Sequence, residues 1–318
     1  MNPITSILAA TDFSLDGNNA VRRAARLAYE HGARLHVLHV LKPDGCKPLR
    51  EWFSPTTDLD LKGAQARAAL RRVATEILGA YDVAATVEVV VGDPFTTLLH
   101  AAERISLVVL GRRGHSRLDA LLIGRTADRM IRTCRPPVLV VRRGVQASYQ
   151  QLLMPVDFAA GSDPVWLCAA RLAGDAPVQV FHAVDGYREL QLRRAAVDDA
   201  LIQGLREKGA AAACARMRRV AARLGLDRTR WSFSAGPGPA APAALERAQM
   251  LGADLIVAGK QGRSTLGEFL LGSVSGCVLA GAGCDVLIVP RPRGAPVPAP
   301  APAPASGPPA GSLLTLPD

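Results

Sequence analysis

Short apolar runs alternate with longer amphipathic stretches along most of the chain. In the first half the apolar runs are Ile7–Thr11, Arg34–Leu41, Ala85–Val91, Leu107–Leu110 and Val138–Val141. Runs of this kind are typical of strands in a parallel sheet, and the stretches between them have helical spacing. The resulting order β-α-β-α-β-α-β-α-β predicts an α/β fold, a doubly wound, Rossmann-like parallel sheet of five strands. We take the strand order to be 3-2-1-4-5, one of those found in such folds.

The same pattern is then repeated along the second half of the chain. The segment LLMPVDFAA corresponds to ILAATDFSL, so that Asp157 follows Asp12 by 145 residues (157 − 12), and VQVFHAV corresponds to LHVLHVL. This internal duplication predicts two domains in tandem, residues 1–143 and 149–291, with a short linker between them. Residues 292–318 are rich in proline and alanine, and we expect them to form a disordered tail.

The last strand of each half bears on how the two domains are arranged. Val138–Val141 and Val286–Val289 would be hydrophobic sheet edges open to association if nothing covered them. Pairing them antiparallel predicts an intrachain pseudo-dimer, and it leaves a homodimer of the whole chain open. The third strand of the second half is predicted to be short, at Arg230–Ser234.

Each half carries a glycine-rich stretch between its last two strands. The second copy reads G-x2-G-x9-G-S, and the first copy has the same glycine spacing 148 residues earlier (259 − 111, 262 − 114, 272 − 124). The glycines are Gly111, Gly114 and Gly124 in the first half and Gly259, Gly262 and Gly272 in the second. A loop of this form that recurs in register points to a shared role.

The residue types in this stretch favour a phosphate-binding loop. Glycine lets the backbone approach a ligand closely, and Gly272 with Ser273 opens a predicted helix whose free N–H groups and positive dipole end attract an anion. The serine hydroxyl adds one more donor. In the first half Arg125 stands at the place of Ser273, and Thr126 follows one residue later.

With these motifs in a strand–loop–helix–strand context, both halves resemble the universal stress protein family, whose nucleotide-binding members carry G-x2-G-x9-G-[ST]. The resemblance covers roughly the two predicted domains. It implies that ATP or a related adenine nucleotide, with or without Mg, binds at the switch point of one or both domains. It also implies a nucleotide-responsive regulator of the stress response that acts on a protein partner the sequence does not identify.

The resemblance further implies roles for residues at the strand ends. Asp12 and Asp157 are expected near the adenine or ribose, and Val40 and Ala183 are expected to line the base pocket. In the order 3-2-1-4-5, strands one and four flank the crevice, so each aspartate should face the first glycine of its own half. The alternative role for either aspartate is capping the next helix, and Ser14 is a second candidate cap in the first half.

Other polar residues near the motifs have more ordinary explanations. His39 and His182 precede the base-pocket positions, but they have no serine, cysteine or carboxylate partner at matching positions, so a structural role is predicted. His115 and Arg263 lie inside the two glycine loops, where either could contact phosphate or point to solvent. Lys260, beside Gly259, is predicted to be solvated.

Composition narrows the possible partners and location. The chain has 318 residues and a formal charge of +10, but its arginines are spread along helices with no aromatic platform between them. Solvated helix faces are therefore favoured, and no nucleic-acid partner is expected. No apolar run could span a bilayer, and the N-terminus lacks the features of a signal peptide. The six cysteines show no metal-ligand spacing, which suits reduced thiols in a cytoplasmic protein.

Two other functions stay open at this point. A slow ATPase or nucleotide hydrolase would share the fold, but the sequence shows no general base with an orienting partner and no cluster of metal-binding carboxylates. An interaction module with degenerate sites is the other alternative. The intact Ser273 argues against a degenerate site in the second half. The argument is weaker for the first half, which has Arg125 at the matching position.

Overall fold

The computed structural model describes residues 3–42, 58–114, 123–145, 147–184, 194–195, 197–226, 229–260 and 270–291. Three of the predicted positions, Gly262, His115 and Arg263, lie outside these residues, as does the predicted tail 292–318.

The first half follows the predicted element order. Its strands are β1 (Ser6–Ala10), β2 (Arg34–Leu41), β3 (Ala85–Val91), β4 (Leu107–Gly111) and β5 (Val138–Val141). Its helices are α1 (Leu15–His31), α2 (Asp58–Tyr81), α3 (Pro94–Ala101), which a 3-10 turn extends to Arg104, and α4 (Arg125–Thr133).

The second half repeats this order. Its strands are β6 (Leu152–Pro155), β7 (Val178–Val184), β8 (Trp231–Pro237), β9 (Leu255–Gly259) and β10 (Asp285–Val289). Its helices are α5 (Asp163–Ala173), α6 (Asp199–Arg223), α7 (Ala240–Leu251) and α8 (Ser273–Gly281).

All ten strands form one continuous sheet in the order β3-β2-β1-β4-β5-β10-β9-β6-β7-β8. Each half therefore has the predicted order 3-2-1-4-5, and its own strands run parallel. The halves meet at β5 and β10, which pair antiparallel with Val138 opposite Ile288 and Val140 opposite Val286. The prediction of an intrachain pseudo-dimer is confirmed.

Helices cover both faces of this sheet and bury its alternate side chains in two cores. One core combines residues of α1, α2, α5 and α6 with one face of the strands. The other combines residues of α3, α4, α7 and α8 with the opposite face. Both cores run through both halves. This explains why the central strands are apolar at nearly every position, with β5 and β10 buried along their whole length and Asp285 the one charged residue of the two.

The predicted bounds of the third strand of the second half were wrong. This strand runs from Trp231 to Pro237 instead of from Arg230 to Ser234. It lies at the edge of the sheet, where the missing N–H of Pro237 costs no ladder hydrogen bond. Its first residue, Trp231, stacks on Trp166 with ring centroids 5.7 Å apart.

A buried polar cluster fastens the linker between the halves. The Asp285 carboxylate is 1% exposed, accepts a 2.8 Å hydrogen bond from the Tyr149 hydroxyl and lies 3.3 Å from the Arg23 Nε. The Arg142 backbone N–H donates to it at 2.8 Å, and Arg23 also donates to the Ala147 carbonyl. Burial raises the pKa of Asp285 and that of Tyr149. Helix α1, the linker and β10 are thereby held together.

Candidate functional site

Two cavities open at the carboxyl ends of the strands, one in each half. The cavity of the first half has a volume of about 580 Å³ and lies between the ends of β1, β2 and β4 and the start of α4. It brings together all six predicted site residues of this half, which are Asp12, Val40, Gly111, Gly114, Gly124 and Thr126. This is the crevice at which ligands bind in open α/β sheets.

The cavity of the second half has a volume of about 480 Å³ and occupies the equivalent place. Five of its six predicted site residues line it, namely Asp157, Ala183, Gly259, Gly272 and Ser273. The sixth, Gly262, is outside the described residues. Volumes of this size are those of ordinary small-ligand sites.

The two glycine loops close in the same way. In the first half the Gly124 N–H donates to the Arg112 carbonyl at 2.8 Å, and in the second the Gly272 N–H donates to the Lys260 carbonyl at 2.9 Å. Each of these glycines is the N-cap residue of the helix that follows. The backbone hydrogen bond that closes each loop is therefore formed by the same pair of positions in both halves.

Gly111 of the first loop is needed for packing, whatever binds in the cavity, and Gly114 lies against the end of the Asp12 side chain. A Cβ on Gly111 would lie 2.6 Å from the backbone carbonyl of Asp16, at the start of α1. A Cβ on Gly114 would lie 2.5 Å from the Asp12 Oδ2. The loop is thus packed directly against the turn that follows β1, which fixes Asp12 beside it.

The anion-attracting end of each cavity is the first turn of a helix. Within the described residues no side chain caps α4 or α8, and the positive dipole end of each helix faces its cavity. Ser273 begins α8 and is exposed, while Arg125 begins α4 and Thr126 is half-buried. Cationic residues are among those that line both cavities, and they are Lys42, Arg112, Arg113 and Arg125 in the first and Lys260 and Arg291 in the second.

A carboxylate distinguishes the first loop from the second. The Asp16 Oδ2 accepts a hydrogen bond of 3.1 Å from the Arg113 N–H, so one amide of the loop is already bound to a negative group. The offset that relates Asp12 to Asp157 relates Asp16 to Gly161 (161 − 16 = 145). Comparing the two halves at this offset would have found the difference.

The aspartates after β1 and β6 do not cap the following helices. Ser14 is the N-cap of α1 and accepts from the Gly17 N–H at 3.1 Å. Asp12 instead accepts from the Ser14 N–H at 3.1 Å and so orients the cap. Asp157 accepts from the Ala159 N–H at 3.0 Å. Both aspartates are held in tight turns at the edge of their cavities.

The two histidines have the structural role that was predicted. His39 is buried, and its Nδ1 lies 2.8 Å from the Thr11 carbonyl oxygen. Its ring contacts Phe13 with centroids 4.4 Å apart, and Phe13 has a φ of 65°. His182 makes the same contacts in the second half, to Val156 at 2.7 Å and to Phe158 at 4.5 Å. Each histidine thus supports the strained turn that carries the aspartate.

Sequence reasoning missed two aromatic residues of the second cavity. Phe181 and Trp166 line it and are 6% and 1% exposed, respectively. A Cβ on Gly236 would lie 3.3 Å from the Phe181 ring, so β8 passes close behind it. The residue matching Phe181 in the first half is Leu38 (181 − 143), and the alignment of VQVFHAV with LHVLHVL contains that difference.

The prediction that Lys260 is solvated was wrong. This side chain is 5% exposed, and its Nζ donates to the carbonyl of Arg132 in the last turn of α4. A second residue that sequence reasoning missed, Ser275, donates from its Oγ to the Gly259 carbonyl at 2.6 Å and holds the end of β9. Both contacts join segments distant in sequence, and no local pattern indicates them.

Residues 3–42, 58–114, 123–145 and the later described segments contain no group of three or more histidine, cysteine, aspartate or glutamate side chains placed to bind a metal ion. None of the helices in these segments is long and apolar enough to cross a membrane.

Comparison with known proteins follows the duplication seen in the fold. The model of the universal stress protein family matches residues 3–142 and again residues 148–290. A universal stress protein of Mycolicibacterium smegmatis is 28% identical over 165 residues, 49% of this chain and 55% of that protein. The match thus spans about half of that relative's length. Universal stress protein A homolog 2 of Coxiella burnetii is 33% identical over 150 residues, 45% of this chain and 95% of that protein.

Solved structures match over nearly the whole chain. A universal stress protein from Archaeoglobus fulgidus DSM 4304 has a TM-score of 0.67 at 19% identity, covering 90% of this chain and 98% of that one. A functionally unknown protein from Pseudomonas aeruginosa PAO1 has a TM-score of 0.61 at 20% identity, covering 91% of this chain and 93% of that one. At these identities the likeness shows the fold.

Proposed function

The chain belongs to the universal stress protein family, with two family domains in tandem, and from this premise we propose that it binds ATP and responds to it as a regulator. The second half is proposed as the tighter site. One observation carries this proposal. The start of α8, with Gly272 and Ser273 and no side-chain cap within the described residues, lies at the same cavity as Asp157 and the apolar residues Ala183 and Phe181.

The two ends of the second cavity suit the two ends of an adenine nucleotide. Ala183 and Phe181, which belong to the same core, offer an apolar surface for a flat base. The first-turn N–H groups of α8 and the Ser273 hydroxyl offer donors to phosphate oxygens, which accept strong, charge-assisted hydrogen bonds. Asp157, at the end of β6, is suited to accept from ribose hydroxyls or from the amino group of the base.

The first cavity is less favourable to a polyphosphate. Asp16 brings a negative charge to the glycine loop and occupies the Arg113 N–H, whereas the second half has Gly161 at this place. Arg125 replaces the serine hydroxyl, and the hydroxyl of Thr126 is about 100° further round the helix. Arginines at the rim, Arg125 among them, attract anions and can donate to phosphate directly, which would offset part of this loss.

A magnesium ion would fit the second cavity only as a companion of ATP. Among the described lining residues Asp157 is the one carboxylate, and Mg²⁺ is commonly held by one or two carboxylates together with nucleotide phosphates. When bound, the ion would neutralise phosphate charge. The residues of this chain would position the base, the ribose and the phosphates.

A direct experiment tests the proposal. Purified protein is denatured, and released nucleotide is identified by chromatography. Protein freed of nucleotide is then titrated with ATP and with adenosine by calorimetry. We expect ATP to bind, and to bind more tightly than adenosine because only ATP uses the helix N-terminus. The absence of ATP binding by folded, nucleotide-free protein would contradict the proposed function.

A further inference from the structure

Each candidate phosphate-binding helix has its other end held by a cation from the opposite half. Lys260, which follows β9 in the second half, donates from its Nζ to the Arg132 carbonyl in the last turn of α4. Arg142, which follows β5 in the first half, donates from its Nη2 to the Leu279 carbonyl in the last turn of α8. The last carbonyls of a helix have no intrahelical partner, and the dipole makes this end attractive to cations.

Lys260 is also bonded through its backbone to the loop of its own half, and the residue before Arg142 is bonded to the first loop. The Lys260 carbonyl accepts from the N–H of Gly272, the N-cap of α8, at 2.9 Å. Lys260 thus closes the second loop with its backbone and holds the first half's helix with its side chain. Arg142 follows Val141, whose carbonyl accepts from the Arg112 N–H of the first loop at 3.1 Å.

The geometry makes α4 and α8 short rigid links between the two cavities. Helix α4 has nine residues, Arg125–Thr133, and is about 13 Å long at 1.5 Å per residue. Its first turn lines the first cavity, and its last turn is bonded to Lys260. A displacement of the Gly272–Lys260 closure therefore reaches the first cavity through a single helix. The path through Arg142 and α8 connects the first half to the second cavity.

We propose that Lys260 and Arg142 are positioning residues that couple the two nucleotide sites, each by fixing the phosphate-binding helix of the other half. This rests on the proposed function. Lys260 lies at the second cavity, yet its loss should weaken phosphate binding at the first. By linkage, nucleotide at one site then changes affinity at the other by the same factor in both directions.

The test isolates one site at a time in the full chain. In a Gly272→Val background, which obstructs the second loop, Lys260→Met is expected to weaken ATP at the first site about fivefold, the lower end of the usual range of coupling between two sites. Adenosine affinity should not change, because adenosine makes no contact with the start of α4. Lys260→Arg, which keeps the charge, should restore ATP affinity. Equal ATP affinity in the Met variant and its parent would overturn the coupling.

The reciprocal experiment measures ATP binding at the second site, and it decides the question even where ATP binding at the first site is too weak to measure. In a Gly124→Val background, Arg142→Met should weaken ATP at the second site by a similar factor, while the backbone N–H of residue 142 still serves Asp285. Tryptophan fluorescence reports this site, because Trp166 lines the second cavity.

Circular dichroism checks the fold of every variant. If Lys260→Met does not fold, Lys260→Gln is used in its place.

The outcomes separate the two proposals. If the wild-type protein binds no ATP, the proposed function fails and the coupling fails with it. If the wild type binds ATP but both methionine variants keep the affinities of their parents, the coupling alone is wrong. A loss shared equally by ATP and adenosine would indicate general damage to the fold and would also contradict the coupling.

Discussion

Removing the Ser273 hydroxyl should weaken ATP binding at the tighter site and do little else. Ser273 is the first residue of α8, lines the second cavity and is exposed. A hydrogen bond to a charged group contributes about 1.5–3 kcal/mol, so Ser273→Ala should weaken ATP about 10- to 150-fold. The fold should keep its stability, because substitutions at exposed positions usually change it by less than about 0.5 kcal/mol.

The assay is calorimetric titration of ATP and of adenosine into the wild type and three variants. Ser273→Thr keeps the hydroxyl and should stay close to the wild type. Arg125→Ala changes the matching position of the first half (273 − 148) and should leave the tightest site unaltered. Adenosine, which has no phosphate, should bind Ser273→Ala as it binds the wild type. If Ser273→Ala leaves the tightest ATP site unchanged, the assignment of that site to the second half is wrong.

Three further predictions concern other parts of the molecule. Asp157→Ala should weaken ATP and adenosine to a similar extent by calorimetry, and a loss confined to ATP would contradict its place at the base or ribose. Asp16→Gly should strengthen ATP at the first site several-fold by freeing the Arg113 N–H and removing a negative charge, and unchanged affinity would refute this. The folded protein should lose stability as pH rises from about 9 towards 12, because burial raises several thiol pKa values to about 12, so the folded state retains protons that the unfolded chain releases. These thiols are Cys134, Cys168 and Cys284. Urea midpoints at pH 8 and pH 10.5 measure the effect, and equal midpoints would contradict it.

The sheet was predictable because burial on both faces leaves a strong mark on sequence. Strands such as Leu107–Gly111 and Val138–Val141 are apolar at nearly every position, and helices on both sides require this. The doubly wound fold of one half led to the strand order, and the duplication added the antiparallel junction. The edge strand from Trp231 to Pro237 was less well predicted, because its half-exposed residues alternate weakly and its end resembles a turn.

The arrangement of the predicted site residues followed from topology and repeated spacing alone. Parallel strands end at the same edge of the sheet, so residues after strands one and four had to meet at one crevice. The roles of Lys260, Ser275 and Asp16 could not be read in the same way. Each role depends on a contact with a segment elsewhere in the sequence or on the conformation of a loop. Composition and periodicity do not encode such contacts.

The central claim is that phosphate binds at the start of α8 in the second cavity, and Gly272→Val tests it most directly. Gly272 has a φ of −59°, which any residue adopts, so valine obstructs the loop without straining its backbone. The measurement is the ratio of ATP affinity to adenosine affinity, in the wild type and in this variant, with folding checked by circular dichroism. A phosphate-binding loop predicts that the ratio falls at least tenfold while adenosine binding is kept. Equal losses for the two ligands, or none for either, would contradict the claim.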